Sequence, residues 1–241
     1  MKNLPYFIFD DMNSLDESLL VQKKNTYKGA ARDLSYISVP GRSGDILKDN
    51  RRYKNVMIQY DVAAIAKQSL DIAEIARRLR EKFLLKVGYY KLRDSYDPRY
   101  FRLASYSEEF DLEAEMPELG FSSIAFNCKP MRYLLSGEYV TTFTESGGVL
   151  VNPEKCPSKP YIKITGSGDI SLFISNTVFH FRGVEEYIEL DSEAMIAYKG
   201  NVNENNKMYT PEYPMLFAGA NIIEWTGNVS KIEIKPRWCT L

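Results

Sequence analysis

At 241 residues the chain is long enough for two domains of ordinary size, and 31 Lys and Arg against 32 Asp and Glu leave a net charge of −1. That balance excludes the basic field by which a protein holds nucleic acid or an anionic membrane through charge alone. No run approaches the ~18 apolar residues of a membrane helix and the start lacks a secretory apolar core, so a soluble protein made in the cytoplasm is expected.

Taken in order, Leu4 to Phe9 is a short aromatic run that predicts a strand, ended by the polar Asp10 to Ser14. Leu19-Leu20-Val21 predicts another, Gln22 to Arg32 is basic and polar, and Asp33 to Val39 alternates as a strand does. The next stretch, Val39 to Asn50, holds Pro40-Gly41, which suits a type II turn, and then Ser43-Gly44-Asp45, which offers a second turn. Two readings stand for it: a solvated connection, or a shaped loop that projects Arg42, Asp45 and Lys48. From Tyr53 to Val62, Val56, Ile58, Tyr60 and Val62 share one face of a half-buried strand.

One helix is predicted. Ser69 can cap it, Asp71 and Glu74 lie near its positive end, and Arg77, Arg78, Arg80 and Lys82 gather towards its negative end. Ile72, Ile75, Ala76, Leu79 and Phe83 form an apolar stripe that must pack on a sheet. The dipole already explains the basic cluster, which otherwise invites a phosphate. Gly88 to Leu92 and Arg99 to Tyr106 read as a hairpin around Asp94 to Pro98. Glu108, Glu109, Asp111, Glu113, Glu115 and Glu118 are numerous enough for paired-carboxylate chemistry, but their spacing by two describes a solvated strand face.

Gly120 to Tyr133 predicts a strand that stops or reaches an edge at Pro130, which cannot donate to a ladder. From Leu135 to Pro160, glycine and proline punctuate short β-like pieces, as at a domain junction. Beyond it, residues 161–166, 170–174, 178–182, 187–190 and 195–198 predict short strands at sandwich spacing. Gly200 to Lys207 reads as a mobile loop without hydrophobic anchors, and the final strands are expected between Gly219 and Gly227 and from Ile232.

The chemistry-bearing residues are sparse. Cys128, Cys156 and Cys239 are odd in number and far apart, which argues against a disulfide framework, and no CxxC pair occurs. His180, the only histidine, alternates against Phe179 and Phe181 and reads as an outward strand residue. No glycine-rich phosphate loop or metal-ligand spacing is present, so no catalytic residue, metal or cofactor is expected and the chain reads as a non-enzyme.

Three separated motifs carry a resemblance. They are Val39 to Asn50 followed by Arg51-Arg52-Tyr53-Lys54-Asn55-Val56; the strand that ends Cys128-Lys129-Pro130; and Pro214 to Val229 followed by Ile232-Glu233-Ile234-Lys235-Pro236-Arg237-Trp238. Together they resemble the distal tail proteins (Dit) of siphoviruses that infect Gram-positive hosts. Cys239 departs from the family pattern, where a basic residue usually follows the terminal tryptophan.

The expected fold is therefore mainly β, in two parts. Residues 1–135 would be a β-sandwich-like domain with one packed helix and a protruding hairpin, residues 136–160 a junction, and residues 161–241 a β-sandwich, galectin-like or carbohydrate-module-like by the resemblance. The last strand is free to pack back on the first domain. The resemblance implies a structural protein of the virion, at the distal end of the tail. It implies a homo-oligomer, a hexameric ring through which DNA can pass, joining the tail tube protein to tail-tip or baseplate proteins. A ring that closes head to tail needs two complementary surfaces on each subunit, and Arg42, Asp45, Lys48 and Arg51 are the expected contact residues of one. The alternative is a carbohydrate-binding adhesion module in which Tyr198 and Trp225 stack on sugar rings, although Trp225 also suits the sandwich interior. A glycosidase using the acidic segment is the third reading.

Overall fold

The computed structural model describes residues 4–24, 27–66 and 71–241. They divide into two compact units, Met1–Arg132 with Leu241, and Tyr133–Thr240.

The first unit is built from β1 (Phe7–Phe9), β2 (Met12–Asn13), β3 (Leu19–Lys24), β4 (Arg32–Ile37), β5 (Ile46–Tyr53), β6 (Val56–Ile65), α1 (Ile72–Leu84), β7 (Tyr90–Asp94), β8 (Tyr100–Ser105), β9 (Glu113–Met116) and β10 (Leu119–Leu134). Its main sheet runs β2-β1-β7-β8-β10-β6-β3, with β9 also on β10. The alternation in β6 buries Val56, Ile58, Tyr60 and Val62, and the antiparallel ladder sets Cys128, Phe126 and Ile124 of β10 opposite the first three. One face of both strands thereby enters the core. The ladder with β6 ends at Cys128 while β10 continues through Pro130 to Leu134, so of the two expectations, a stop or an edge, the β6 side shows the edge. Proline is tolerated there because that edge no longer needs its N–H for β6.

Helix α1 closes this core. Asp71 caps it by accepting from the Glu74 N–H at 2.8 Å; the expected cap, Ser69, lies outside the described residues. Ile72, Ile75, Leu79 and Phe83 are buried as the stripe predicts, and the Phe83 ring meets Phe9, Tyr106, Phe110 and Phe126. The basic residues of the helix are largely occupied. Arg78 and Lys82 hold the buried Glu17 at 2.9 and 2.5 Å, and Arg77 pairs with Glu74 and Glu81.

The second unit contains β11 (Thr141–Phe143), β12 (Gly148–Asn152), β13 (Tyr161–Ile174), β14 (Thr177–Val184), β15 (Tyr187–Asp191), β16 (Ile196–Lys199), β17 (Val202–Asn203) and β18 (Gly219–Lys235). Residues 136–160, expected as a junction, thus hold two strands, both paired to β18. The separate strands expected over 161–166 and 170–174 are one, and so are those from 219 and from 232. β13 and β18 pair along their length with irregularities at Thr165/Gly166 and Ser167/Ser171. At that interruption Gly227, with φ 102°, has no room for a side chain, since a Cβ would lie 2.4 Å from the Asp169 carbonyl oxygen. On one side of the bend the neighbours are β11 and β15, on the other β12 and β14. Both halves feed a single core that includes Ile162, Ile164, Ile232 and Ile234 from one and Leu172, Ile174, Phe179 and Ile223 from the other. A sheet that bends and buries both halves together makes a sandwich from shared strands.

The 200–207 stretch is not the unanchored loop expected. It forms β17 and a short 3₁₀ turn, and Asn205 Oδ1 accepts from the Ala197 N–H and the Tyr213 hydroxyl. A polar anchor does the work that hydrophobic residues would otherwise do.

Candidate functional site

Among the described residues β4 and β5 pair only with each other, as a hairpin separate from the main sheet. Its turn is the one foreseen: the Arg42 N–H donates to the Val39 carbonyl at 3.1 Å and Gly41 has φ 78°, the geometry of a type II turn. The polar stretch does not remain a loop to Asn50, however. Ile46 begins a strand, with Ile37↔Ile46, Tyr36↔Leu47, Ser35↔Lys48 and Leu34↔Asp49 in register. Three residues of β5, Asn50 to Arg52, then oppose the single Asp33 of β4, and Arg51 takes φ 56° in the resulting bulge.

The base of this arm is tied down by charge. Asp49 receives Arg32 at 2.7 Å, and the buried Asp33 receives Arg52 at 2.6 Å and Lys54 at 3.6 Å. Its outer part is bare: Tyr36 is 68% exposed, Leu47 57%, Ile37 46% and Ile46 42%. Two adjacent apolar cross-strand pairs in water are unusual for a hairpin that stands alone. Arg42, Asp45, Lys48 and Arg51 are all exposed on the same arm. Among the described residues, none of the four forms an ion pair.

A second surface of the same unit is its opposite in charge. β9 lies on β10 through Phe121↔Glu113, Gly120↔Ala114 and Leu119↔Met116, and all four of its residues are exposed. Glu108, Glu109, Asp111, Glu113, Glu115 and Glu118 face solvent without a cationic partner among the described residues, while the buried Phe110 anchors the segment. The six carboxylates form a strip rather than a focused pair.

The remaining sequence candidates are placed as follows. Trp225 packs against the second core and stands opposite Leu172. Tyr198 stands opposite Glu189, whose own ladder partner is Lys163, which in turn faces Glu233. Seven residues of β18 lie between Trp225 and Glu233 of the Tyr198 row, so the two rings stand in different ladder rows. His180 is exposed, with Nδ1 2.9 Å from the Ser171 hydroxyl. Burial pushes the Cys128 and Cys239 thiols up to about 12, the wrong direction for a nucleophile. Among the described residues no cluster of His, Cys, Asp and Glu could hold a metal ion, and no helix is long and apolar enough to cross a membrane.

Two polar clusters escaped the sequence. In the first unit Asp94 Oδ2 accepts from Lys24 at 2.8 Å and from the buried Tyr60 hydroxyl at 2.5 Å, while Oδ1 accepts from the Tyr96 and Asp97 N–H groups. Burial alone would raise the Asp94 pKa, but the Lys24 and Tyr60 hydrogen bonds and the Lys24 charge outweigh it and hold it below the usual carboxylate range. In the second unit Arg237 grips Asp191 with both ends of its guanidinium, at 2.8 and 2.9 Å, and lowers the Asp191 pKa against its burial. Trp238 beside it is buried in the core.

Residues 9–128 match the family described as phage tail protein RIFT-related domain. The chain is similar in structure to the Dit protein of phage SPP1, described as a paradigm of the hub adsorption apparatus in phages infecting Gram-positive hosts. The TM-score is 0.73 at 13% identity, over 99% of this chain and 100% of that one. It is also similar to a chain of the phage p2 baseplate in its activated conformation with Sr, with a TM-score of 0.54 at 12% identity over 96% and 97%. No curated protein matches the sequence.

Proposed function

We propose, from the premise that residues 9–128 belong to the phage tail protein RIFT-related domain family and that the whole chain has a Dit-like fold, that this protein is a structural hub of a siphovirus tail. It assembles into a ring, hexameric by the family resemblance, at the distal end of the tail, where it joins the tube to the tip or baseplate. The role is structural rather than enzymatic, in keeping with the tail hub and baseplate components it is similar to.

The observation that carries this reading is the β4–β5 arm. A heterologous contact repeated around a closed ring uses two different surfaces of each subunit. The arm offers exposed apolar pairs flanked by Arg42, Lys48 and Arg51; the β9 strip offers exposed carboxylates and the bare Met116, 60% exposed, on an outlying strand. Opposite charge on the two surfaces fixes register and suppresses wrong pairings, while the apolar pairs supply burial.

Light scattering on the full-length protein tests the reading. Arg42→Glu with Lys48→Glu is expected to break the oligomer, and adding Glu113→Lys with Glu115→Lys is expected to restore part of it. An oligomer of unchanged size in the first variant would remove the arm from the interface. The carbohydrate-binding reading finds no support in the placement of Tyr198 and Trp225.

A further inference from the structure

A pocket of about 240 Å³ opens in the first unit, well away in character from the exposed arm: its walls include Lys24, Lys28, Arg102, Arg132, Tyr27 and Tyr100. Leu241 lines it too, and two side-chain carboxylates, Asp94 and Asp97, both already answered. Asp94 is held by Lys24, Tyr60 and two backbone N–H groups, and Asp97 Oδ2 accepts from Arg132 Nη1 at 2.8 Å. Lys24 and Arg132 are answered by the same pairs, but Lys28 and Arg102 have no ion pair among the described residues. Arg102 reaches only neutral acceptors, the Pro130 carbonyl at 3.0 Å and the Lys28 carbonyl at 3.4 Å, and no carboxylate among the described residues meets its guanidinium. Burial lowers the Arg102 pKa, and the nearby Arg132 charge adds to that. The buried Nε of Arg132 has no acceptor at all.

We propose that this pocket binds a small oxyanion, a phosphate or carboxylate group, held by Arg102 and Lys28. A guanidinium carries five N–H donors in a fixed fork suited to two oxygens of one anion, and a half-buried cation gains most from a ligand that completes both its charge and its hydrogen bonds. The volume is several times the ~30 Å³ share of one water molecule, so an anion with a small organic body also fits. At the rim, Gly29 has no atom within 4 Å of where a Cβ would stand, which leaves an approach open beside Lys28. Nothing in this assignment depends on ring formation.

Titration of the full-length, ¹⁵N-labelled protein with sodium phosphate and, separately, sodium succinate, each against sodium chloride at equal ionic strength, tests it. Saturable amide shifts are expected at Gly29, Tyr100 and Arg102, and the anion that saturates at the lower concentration identifies the preferred oxygen geometry. Lys28→Gln changes an exposed side chain and should leave the fold intact; it and Arg102→Gln should each weaken binding roughly tenfold. Shifts that grow linearly without saturating, or saturable shifts that Lys28→Gln leaves unchanged while they map away from the pocket, would overturn the site. If Arg102→Gln fails to fold, the Lys28→Gln titration decides alone.

Discussion

At the scale of single residues, each unit has an aspartate whose pKa a cation holds down against burial, the buried Asp94 in the first and the half-buried Asp191 in the second. Tyr60→Phe removes one donor from Asp94 and leaves its other partners, and a loss of about 1–2 kcal/mol is expected in urea unfolding at neutral pH. Asp94 and Asp191 both have folded pKa values below the ordinary ~3.9 of an aspartate. A carboxyl whose pKa is depressed on folding contributes stability that is present above its unfolded pKa and lost as the pH falls through its folded one. The protein should therefore lose stability progressively below about pH 4, and the urea midpoint of Asp94→Asn should fall less between pH 7 and pH 3 than that of the native chain. An equal fall in both would separate Asp94 from the acid transition. Arg237→Lys keeps the charge but cannot span both oxygens of Asp191, so destabilisation of the second unit is expected, about 1–2 kcal/mol by the loss of one charged hydrogen bond. This gives the terminal Pro236-Arg237-Trp238 motif a structural meaning: one residue clamps β15 and the next fills the core.

At the scale of elements, the arm and the outlying strand β9 separate stability from assembly. Tyr36→Ser with Leu47→Ser replaces exposed side chains, so the monomer's unfolding free energy should stay within roughly 0.5 kcal/mol while association weakens. Sedimentation velocity alongside chemical denaturation checks both halves of that statement, and a large loss of stability would show that the pairs hold the hairpin together instead. Strands and the helix were legible where one face is buried. The Val56 to Val62 alternation and the Ile72 to Phe83 stripe describe β6 and α1 as folded, because a core on one side imposes the period. Legibility failed where burial gives no period. β5 is exposed along nearly all its length, so Ile46 to Asn50 carries no alternation of burial to mark it as a strand, and its polar composition suggested a loop. β13 and β18 were divided by their own glycines, which mark a bend within a strand as readily as its end.

At the scale of the whole molecule, the two mainly β units present an exposed apolar arm and an acidic strip on the first. Composition pointed to the class and the motifs to a family resemblance, but the surfaces that matter were only half visible. Arg42, Asp45, Lys48 and Arg51 could be named from the turn-rich stretch itself, and the acidic run was plain although its partner was not. The Asp94 cluster was invisible, because Lys24, Tyr60 and Asp94 are brought together over 70 and 34 residues by pairing that no local pattern encodes. The pocket around Arg102 is hidden for the same reason. Native mass measurement of the full-length protein across a salt series tests the central claim most directly, since exposed charge pairs are screened within about 10 Å at 0.1 M salt. A closed ring of six chains at low salt, dissociating as salt rises and absent in Arg42→Glu/Lys48→Glu, is the predicted result; a single chain at every salt and protein concentration, or a ring indifferent to that variant, would contradict it.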